Sequence, residues 1–317
     1  RDCLLSRGLG DVYKRQLNER LKNIFLKNRD MRFIKMTGGL GNQMFIYAFY
    51  MRMKKHYSNT RIDLSDMVHY KAHNGYEMHR VFNLPPIEFR INQPLKKVIE
   101  FLFFKKIYER KQVPSSLVPY DKKYFWPLIY FKGFYQSERF FADMADDIRK
   151  AFTFNPRLSN RKTKEMSEQI DHDENAVSIH VRRGDYLEPK YWKTTGCVCQ
   201  LPYYLNAIAE MNKRISQPSY YVFSDDIAWV KENLPLPKAF FIDWNKGTES
   251  WQDMMLMSRC RHHIICNSTF SWWGAWLNPR ENKTVIMPER WFRHCETPDI
   301  CPDKWIKVPI NQPDSIQ

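Results

Sequence analysis

Ala176-Val-Ser-Ile-His-Val-Arg-Arg-Gly-Asp-Tyr186 decides how this chain is read. Ala176 to Val181 is a mostly apolar run of strand length, and it stops abruptly at two arginines and a glycine. Toward the C-terminus, helix and strand signals alternate at short intervals. The pattern predicts a helix over 203–215, a strand over 220–223, a helix over 227–233 and a strand over 239–242. A helix over 250–259, a strand over 264–266, a helix over 270–277 and a strand over 284–287 complete the series. Repeated βα units imply an α/β fold with a parallel sheet covered by helices on both faces. Toward the N-terminus, Phe33 and Ile34 make a short strand ending at Thr37-Gly-Gly-Leu-Gly-Asn-Gln43. Met44, Ala48 and Met51 then recur on one face of a helix that reaches about Tyr57. Prolines at 85, 86, 94, 114, 119 and 127 break up residues 60–135, where no order of elements is readable. A further helix is expected over 137–152 with Ser137 as its N-cap. The pattern changes after Asn155-Pro156, which sets the expected domain division: 31–155 and 156–317, preceded by a segment 1–30 that stands apart.

The 317 residues suit about two domains. Hydrophobic residues at 43% and charged residues at 27% are ordinary globular composition and argue against global disorder. No apolar run approaches the roughly 18 residues of a spanning helix. Fifty Lys and Arg against 35 Asp and Glu give a net charge of +15, which favours anionic partners such as phosphorylated substrates, nucleic acid or an acidic membrane surface. Seven cysteines in a chain of this size do not form a disulfide framework, and Cys197-Val-Cys199 lacks the gap of a zinc knuckle. Reduced thiols are expected, ahead of a metal cluster around His294, Cys295 and Cys301. Residues 1–30 carry eight Lys/Arg and four Asp/Glu and lack the apolar core of an export signal. They resemble translated sequencing-adapter read-through, which makes Met31 the expected start. The bland alternative is a basic helical arm built on Leu17, Leu21, Ile24 and Phe25. The segment 95–111 is basic and amphipathic; it suits an anionic membrane surface, although packing on the domain is slightly favoured.

Ligands of open α/β sheets bind beyond the carboxyl ends of the strands, and four motifs fall there. Arg182 and Arg183 offer planar forks that grip phosphate oxygens in pairs; Asp185 either holds an arginine in place or accepts a proton. Asn267-Ser-Thr-Phe-Ser-Trp-Trp-Gly-Ala-Trp276 puts hydroxyls and backbone N–H groups at a helix start, a ready anion site that a cap and a phosphate can share. Its tryptophans read as core. Gly38-Gly-Leu-Gly41 permits close backbone approach but fits neither a P-loop nor a dinucleotide fingerprint. Ser224-Asp-Asp226 reads as a helix N-cap in preference to a metal pair, because the arginines already supply positive charge. Asp253 reads as a solvated helix carboxylate.

Together, Gly38-Gly-Leu-Gly-Asn-Gln43, His180-Val-Arg-Arg-Gly-Asp-Tyr186, Phe223-Ser-Asp-Asp226 and Asn267–Trp276 resemble family 11 glycosyltransferases, the α-1,2-fucosyltransferases in their bacterial form. The resemblance runs from about Met31 to near the C-terminus. It implies a GT-B architecture of two Rossmann-like domains with parallel sheets facing a central cleft, the first on the acceptor side and the second binding the donor. It also implies an inverting enzyme that uses GDP-L-fucose and no metal or other cofactor, and a galactose-terminated glycan of an O-antigen or capsule as acceptor. The place of such an enzyme is the cytoplasm, with peripheral contact at the inner face of the membrane. By this resemblance Arg182 binds the β-phosphate, with Arg183 beside it. His180 and Asp253 lie near the guanosine, and Ser268, Thr269, Phe270 and Ser271 form the phosphate-side turn. Gly39 and Gly41 belong to the glycine loop, and Asn42 lies near the reaction centre. In the loop after the arginines, Asp185 and Glu188 are both candidates for the general base; the alternative is a reaction that needs no strong base. Three rival readings carry distinct expectations: another GDP-sugar donor such as GDP-mannose, a nucleotide-sugar-binding protein without turnover, and a nucleic-acid binder, which no recognition motif supports.

Overall fold

The computed structural model describes residues 32–68, 70, 73–85, 87, 89–91, 120, 130–192, 195–293 and 298–310. Residues 1–30, the segment 95–111, His294 and Cys295 lie outside them.

The first sheet begins with β1 (Arg32–Lys35). The chain turns at Gly38, whose φ of +83° suits glycine, and enters α1 (Leu40–His56). β2 (Thr60–Asp63), α2 (Met78–Val81) and β3 (Tyr130–Phe131) follow. The strands pair in parallel in the order β2-β1-β3. After α3 (Ala145–Ala151) and α4 (Arg161–His172) the second sheet opens with β4 (Ala176–Val181). It continues through α5 (Pro189–Trp192), α6 (Leu201–Arg214), β5 (Ser219–Ser224), α7 (Ile227–Asn233) and β6 (Ala239–Ile242). α8 (Trp251–Arg259), β7 (His262–Ile264), α9 (Thr269–Leu277), β8 (Val285–Pro288) and β9 (Ile306–Val308) complete it. Its order is β6-β5-β4-β7-β8-β9, every pair parallel.

Parallel strands buried on both faces alternate their side chains between two cores. Val177, Ile179 and Val181 share a core with Tyr203, Ala207 and Met211 of α6 and with Val230 of α7. Tyr221 and Phe223 point the other way, into a core with α8 and α9 that runs on without interruption into α1 and the first sheet. Aromatic rings make that junction. Phe45 of α1 lies 4.5 Å from Trp272 and 4.8 Å from Trp273 between centroids, and Phe141 stacks on Trp273 at 5.6 Å. Trp272 and Trp273 are fully buried, as the sequence leads one to expect.

The strand orders fix where a ligand goes. In the second sheet the chain winds outward from β4 through β5 to β6, then returns to place β7 on β4's other side. In the first it winds from β1 to β2, then places β3 on β1's other side. Such reversals open a crevice at the carboxyl ends of the strands. One crevice is framed by the residues after β4 and β7, the other by those after β1 and β3. They meet because α1 packs on α9 at very close range. The Trp273 indole N–H donates to the Gly41 carbonyl at 2.9 Å.

Several elements differ from their sequence reading. Residues 137–152 do not form one helix. Ser137 does cap, accepting from Arg139 N–H at 3.2 Å, but only short 3-10 turns follow at Glu138–Phe140 and Ala142–Met144 before α3. Phe140 and Phe141 are both buried, and adjacent residues do not share a helix face, so the backbone bends at Phe141 to bury both. β7 lies two residues ahead of its apolar run. His263 is fully buried in it, its ring bonded to Ser178 Oγ at 2.8 Å and Asn278 Nδ2 at 2.9 Å. α1 starts at Leu40 rather than Met44 and is buried on almost all sides of its first turns. β2, β3, α4 and β9 carry no pattern that singled them out. Among the described residues, no helix is long and apolar enough to cross a membrane.

A Cβ on Gly41 would lie 2.6 Å from the Thr269 carbonyl carbon and 2.8 Å from Phe270 N, both backbone atoms that cannot step aside. Gly41→Ala is therefore expected to destabilise the fold by about 1–3 kcal/mol, measured by urea denaturation. A denaturation midpoint equal to that of the parent would contradict this packing.

Candidate active site

The two crevices join into a cleft of about 830 Å³. β4 delivers Arg182 to it. The guanidinium is held on one edge by Asp185, Nε to Oδ1 at 3.0 Å and Nη2 to Oδ2 at 2.8 Å, and it lies 4.6 Å over the Tyr186 ring. Burial opposes its charge, but the hydrogen bonds and charge of Asp185 prevail and hold the guanidinium above its ordinary value. Asp185 is correspondingly lowered: burial works against it and Arg182 outweighs burial. Asp185 thus orients Arg182, not Arg183. With both carboxylate oxygens committed it is a poor proton acceptor.

Arg183 points elsewhere. Its backbone N–H donates to Asp225 Oδ1 at 2.8 Å, its Nε to Asp226 Oδ2 at 3.1 Å, and its guanidinium lies 4.0 Å over Trp229. It lines a separate pocket of about 340 Å³ with Cys197 and Cys199, outside the large cleft. The expected second phosphate-gripping arginine is therefore absent from the cleft. Successive residues leaving a strand face opposite ways, and the carboxylates after β5 capture this one. Asp226 also accepts from Trp229 N–H at 3.1 Å, so Ser224-Asp-Asp226 is the N-cap that its sequence suggested. Glu188 is exposed and does not line the cleft, which removes it as a candidate base.

The amino end of α9 lines the same cleft as Arg182. Its N-cap, Ser268, makes no side-chain cap bond, and Ser268, Thr269 and Phe270 line the cleft. The first-turn N–H groups and the helix dipole there favour an anion. Ser271 does not reach the cleft; it is buried and its hydroxyl donates to the Ser268 carbonyl at 3.3 Å. Asn267 ties the turn down, its amide donating to the Thr195 and Trp291 carbonyls at 2.8 and 3.1 Å.

The remaining expected residues take distinct places. Gly39, Gly41 and Asn42 line the cleft from the β1 side, and Asn42 Oδ1 accepts from Gln136 Nε2, 2.8 Å away, on the segment after β3. His180 bonds through Nδ1 to Cys266 Sγ at 3.2 Å. Burial and then the Arg182 charge push its pKa down to about 3, so it is a neutral ring. Asp253 is not the solvated carboxylate of its sequence reading. It is recessed in the cleft wall, accepts from Asn245 Nδ2 at 2.8 Å, and burial pushes its pKa up to about 7. Asn245 is fixed in turn by Asn160 Nδ2 at 2.8 Å and Thr163 Oγ1 at 3.0 Å, a polar chain that connects α4 to the site.

Sequence reasoning missed the loop that forms the remaining wall. Gln43 is fully buried and clamps it: Nε2 donates to the Gly38 and Gly75 carbonyls at 2.8 and 2.7 Å, while Oε1 accepts from Glu77 N–H at 2.9 Å. The loop brings His73 and Asn74 to the cleft. Asn74 Nδ2 donates to the Gly247 carbonyl at 2.8 Å and Arg80 Nη1 to the Thr248 carbonyl at 2.5 Å, joining the loop to the far side. The Asn74-Gly75 pair was a turn signal, but nothing local announces a cleft wall. Among the described residues, no group of three or more His, Cys, Asp or Glu is placed to hold a metal.

The arrangement suits a diphosphate: a guanidinium fork, an uncapped helix start and a recessed carboxyl line one cleft. The family description "Glycosyl transferase family 11" matches residues 22–308, beginning ahead of Met31. An α-1,2-colitosyltransferase of Escherichia coli is 32% identical over 292 residues, covering 86% of this chain and 97% of that protein. Galactoside α-(1,2)-fucosyltransferase 1 of Ateles belzebuth is 31% identical over 160 residues, 48% of this chain and 43% of that protein. Among solved structures, the NodZ α-1,6-fucosyltransferase co-crystallized with GDP superposes with a TM-score of 0.50 at 16% identity, covering 81% of this chain and 95% of that one; the likeness is one of fold. With its two parallel sheets about a central cleft, the chain has the GT-B fold and belongs to glycosyltransferase family 11.

Proposed function

We propose that this glycosyltransferase moves L-fucose from GDP-L-fucose to the 2-hydroxyl of a terminal galactose on a glycan, with inversion at C1. In this reading residues 156–317 form the donor-binding unit and 31–155 the acceptor side. The observation that carries it is Arg182, locked by Asp185 against the cleft that the bare amino end of α9 also lines. As the C1–oxygen bond breaks, the transition state resembles an oxocarbenium ion and charge grows on the departing β-phosphate. The fork and the helix start are fixed before the reaction and complement that charge. Asn42 lies on the wall that α1 contributes, and Asp253 and His180 sit where the nucleoside would lie. The 31% identity to a galactoside α-(1,2)-fucosyltransferase supports the linkage. A second reading has specific support: the 32% identity over nearly the whole of an α-1,2-colitosyltransferase favours colitose as the transferred sugar at the same site. A panel of GDP-L-fucose, GDP-colitose and GDP-mannose with galactoside acceptors decides between them, and no turnover with any would overturn the assignment.

Arg182→Ala is expected to raise the barrier by about 2.7–4 kcal/mol, a loss of two orders of magnitude or more in kcat. Arg182→Lys is expected to fail as well, because a point charge does not reproduce a fork whose edge is braced by Asp185. Near-parental turnover in either variant would exclude the role. Because these groups supply the charge that a divalent cation would otherwise bring, EDTA is expected to leave turnover unchanged.

Asp253 gives a pH signature. Its carboxyl, with a pKa raised to about 7, is mostly protonated at pH 6 in the free protein. Accepting the N–H donors of a guanine edge requires the carboxylate. Binding then lowers the pKa and releases a proton, so affinity rises with pH by up to about tenfold per unit below pH 7 and levels off above it. Titration calorimetry of GDP at pH 6 in buffers of different ionisation enthalpy should show this release, and Asp253→Asn should release less, keeping only the share that ionisation of the terminal phosphate beside Arg182 contributes. Equal release from both proteins would place the nucleobase elsewhere.

A further inference from the structure

A transferase of this kind must take a proton from the acceptor hydroxyl, and the cleft offers few groups free to do so. Asp185 is committed to Arg182 through both oxygens. Glu77 is held by Asn74 and Arg80. Asp225 accepts from Arg183 N–H, and Asp253 from Asn245. Asp243 stands on the loop that carries Asn245, toward the Asp253 end of the cleft. The His180 ring is bonded to Cys266.

His73 differs from all of these. Its ring lines the cleft and, among the described residues, makes no hydrogen bond or ion pair. It packs on the glycine loop so closely that a Cβ on Gly39 would lie 3.1 Å from its Cγ. Its φ of +52° is a conformation that side-chain-bearing residues rarely adopt, and it is sustained here by the Gln43 clamp on Gly75 and Glu77. Tyr135, Cys197 and Gln217 share that backbone region, but of the four only His73 lines the large cleft. Its packing on Gly39 sets it on the glycine-loop wall, in the half of the chain read above as the acceptor side, and the Arg182 and Asp185 charges both reach it. Burial first, then Arg182, with Asp185 opposing, lower its pKa from the ordinary value, which keeps the ring neutral and able to accept a proton.

We infer that His73 is the catalytic base, taking the proton of the acceptor hydroxyl as its oxygen attacks C1 of the sugar. The inference rests on the transferase reading above. In the step, the acceptor oxygen forms a bond to C1 and gives its proton to an imidazole nitrogen. The C1–O bond to the β-phosphate breaks with its electron pair leaving on the phosphate oxygen beside Arg182. The imidazolium then passes its proton to water.

His73→Asn is the informative variant, because asparagine tolerates the left-handed backbone and preserves the turn. It is expected to lower kcat for transfer by about 100-fold or more, the usual contribution of a positioned base, with GDP affinity by calorimetry within about threefold of the parent. Free imidazole is expected to restore part of the turnover of His73→Ala, a rescue that a merely structural histidine would not permit. A His73→Asn enzyme within about tenfold of parental kcat overturns the assignment, and so does loss of GDP binding in step with turnover. Both outcomes are read against a parent enzyme that transfers; a parent inert with every GDP-sugar would instead overturn the functional reading itself.

Discussion

The whole site depends on how closely the backbone of α1 approaches that of α9. Gly41 touches Thr269 and Phe270 with no room for a methyl group, and the Trp273 indole fastens the Gly41 carbonyl from the same helix turn. A buried N–H to carbonyl bond of this kind is costly to break, because either partner would be left unsatisfied away from water. The rings of Phe45, Phe141, Trp272 and Trp273 fill the space behind it. This contact brings the reversal points of two separate parallel sheets to a common cleft. It also places the glycine loop beside the bare start of α9, so one packing event builds both the scaffold and the anion site.

Charge in the cleft is arranged by giving each cation a distinct partner. Arg182 and Arg183 are adjacent in sequence, yet one is braced by Asp185 and turned to the cleft while the other is drawn off by Asp225 and Asp226. Their separation leaves one guanidinium turned to the cleft. His180 and His73, both near Arg182, are lowered by burial and by that charge, so the local positive charge is concentrated on one guanidinium. A single oriented fork in a recessed site interacts more strongly with developing negative charge than several mobile cations at a wet surface.

Much of the second sheet was legible because its strands are buried on both faces and read as plain apolar runs between helices. The reading of 176–181, 227–233 and 239–242 coincides with β4, α7 and β6. The strand near 264 was misplaced because the apolar residues and the hydrogen-bonded ladder are offset there, with a satisfied histidine taking an interior position. The helix expected over 137–152 failed because two neighbouring phenylalanines both found burial, a tertiary demand that local periodicity cannot express. That Arg182, Thr269, Asn42 and Asp253 line the cleft was legible from motifs at strand ends or from resemblance. Arg183 and Ser271 were assigned to the cleft because sequence adjacency says nothing about which way a side chain leaves a strand or turn. His73 was not legible at all. Its place in the cleft wall arises from Gln43 reaching across 32 residues to hold Gly75, and no local pattern records such a clamp.

Asn74 and Arg80 carry one more implication. They reach the carbonyls of Gly247 and Thr248 from the opposite half of the chain, while the aromatic core runs unbroken beneath them. Domains joined by a small polar seam swing readily, whereas a broad apolar junction resists it. Among the described residues, struts above and a continuous core below leave no hinge plane. The width of the cleft is therefore set by that packing, as one body, rather than by the swing of one lobe against another.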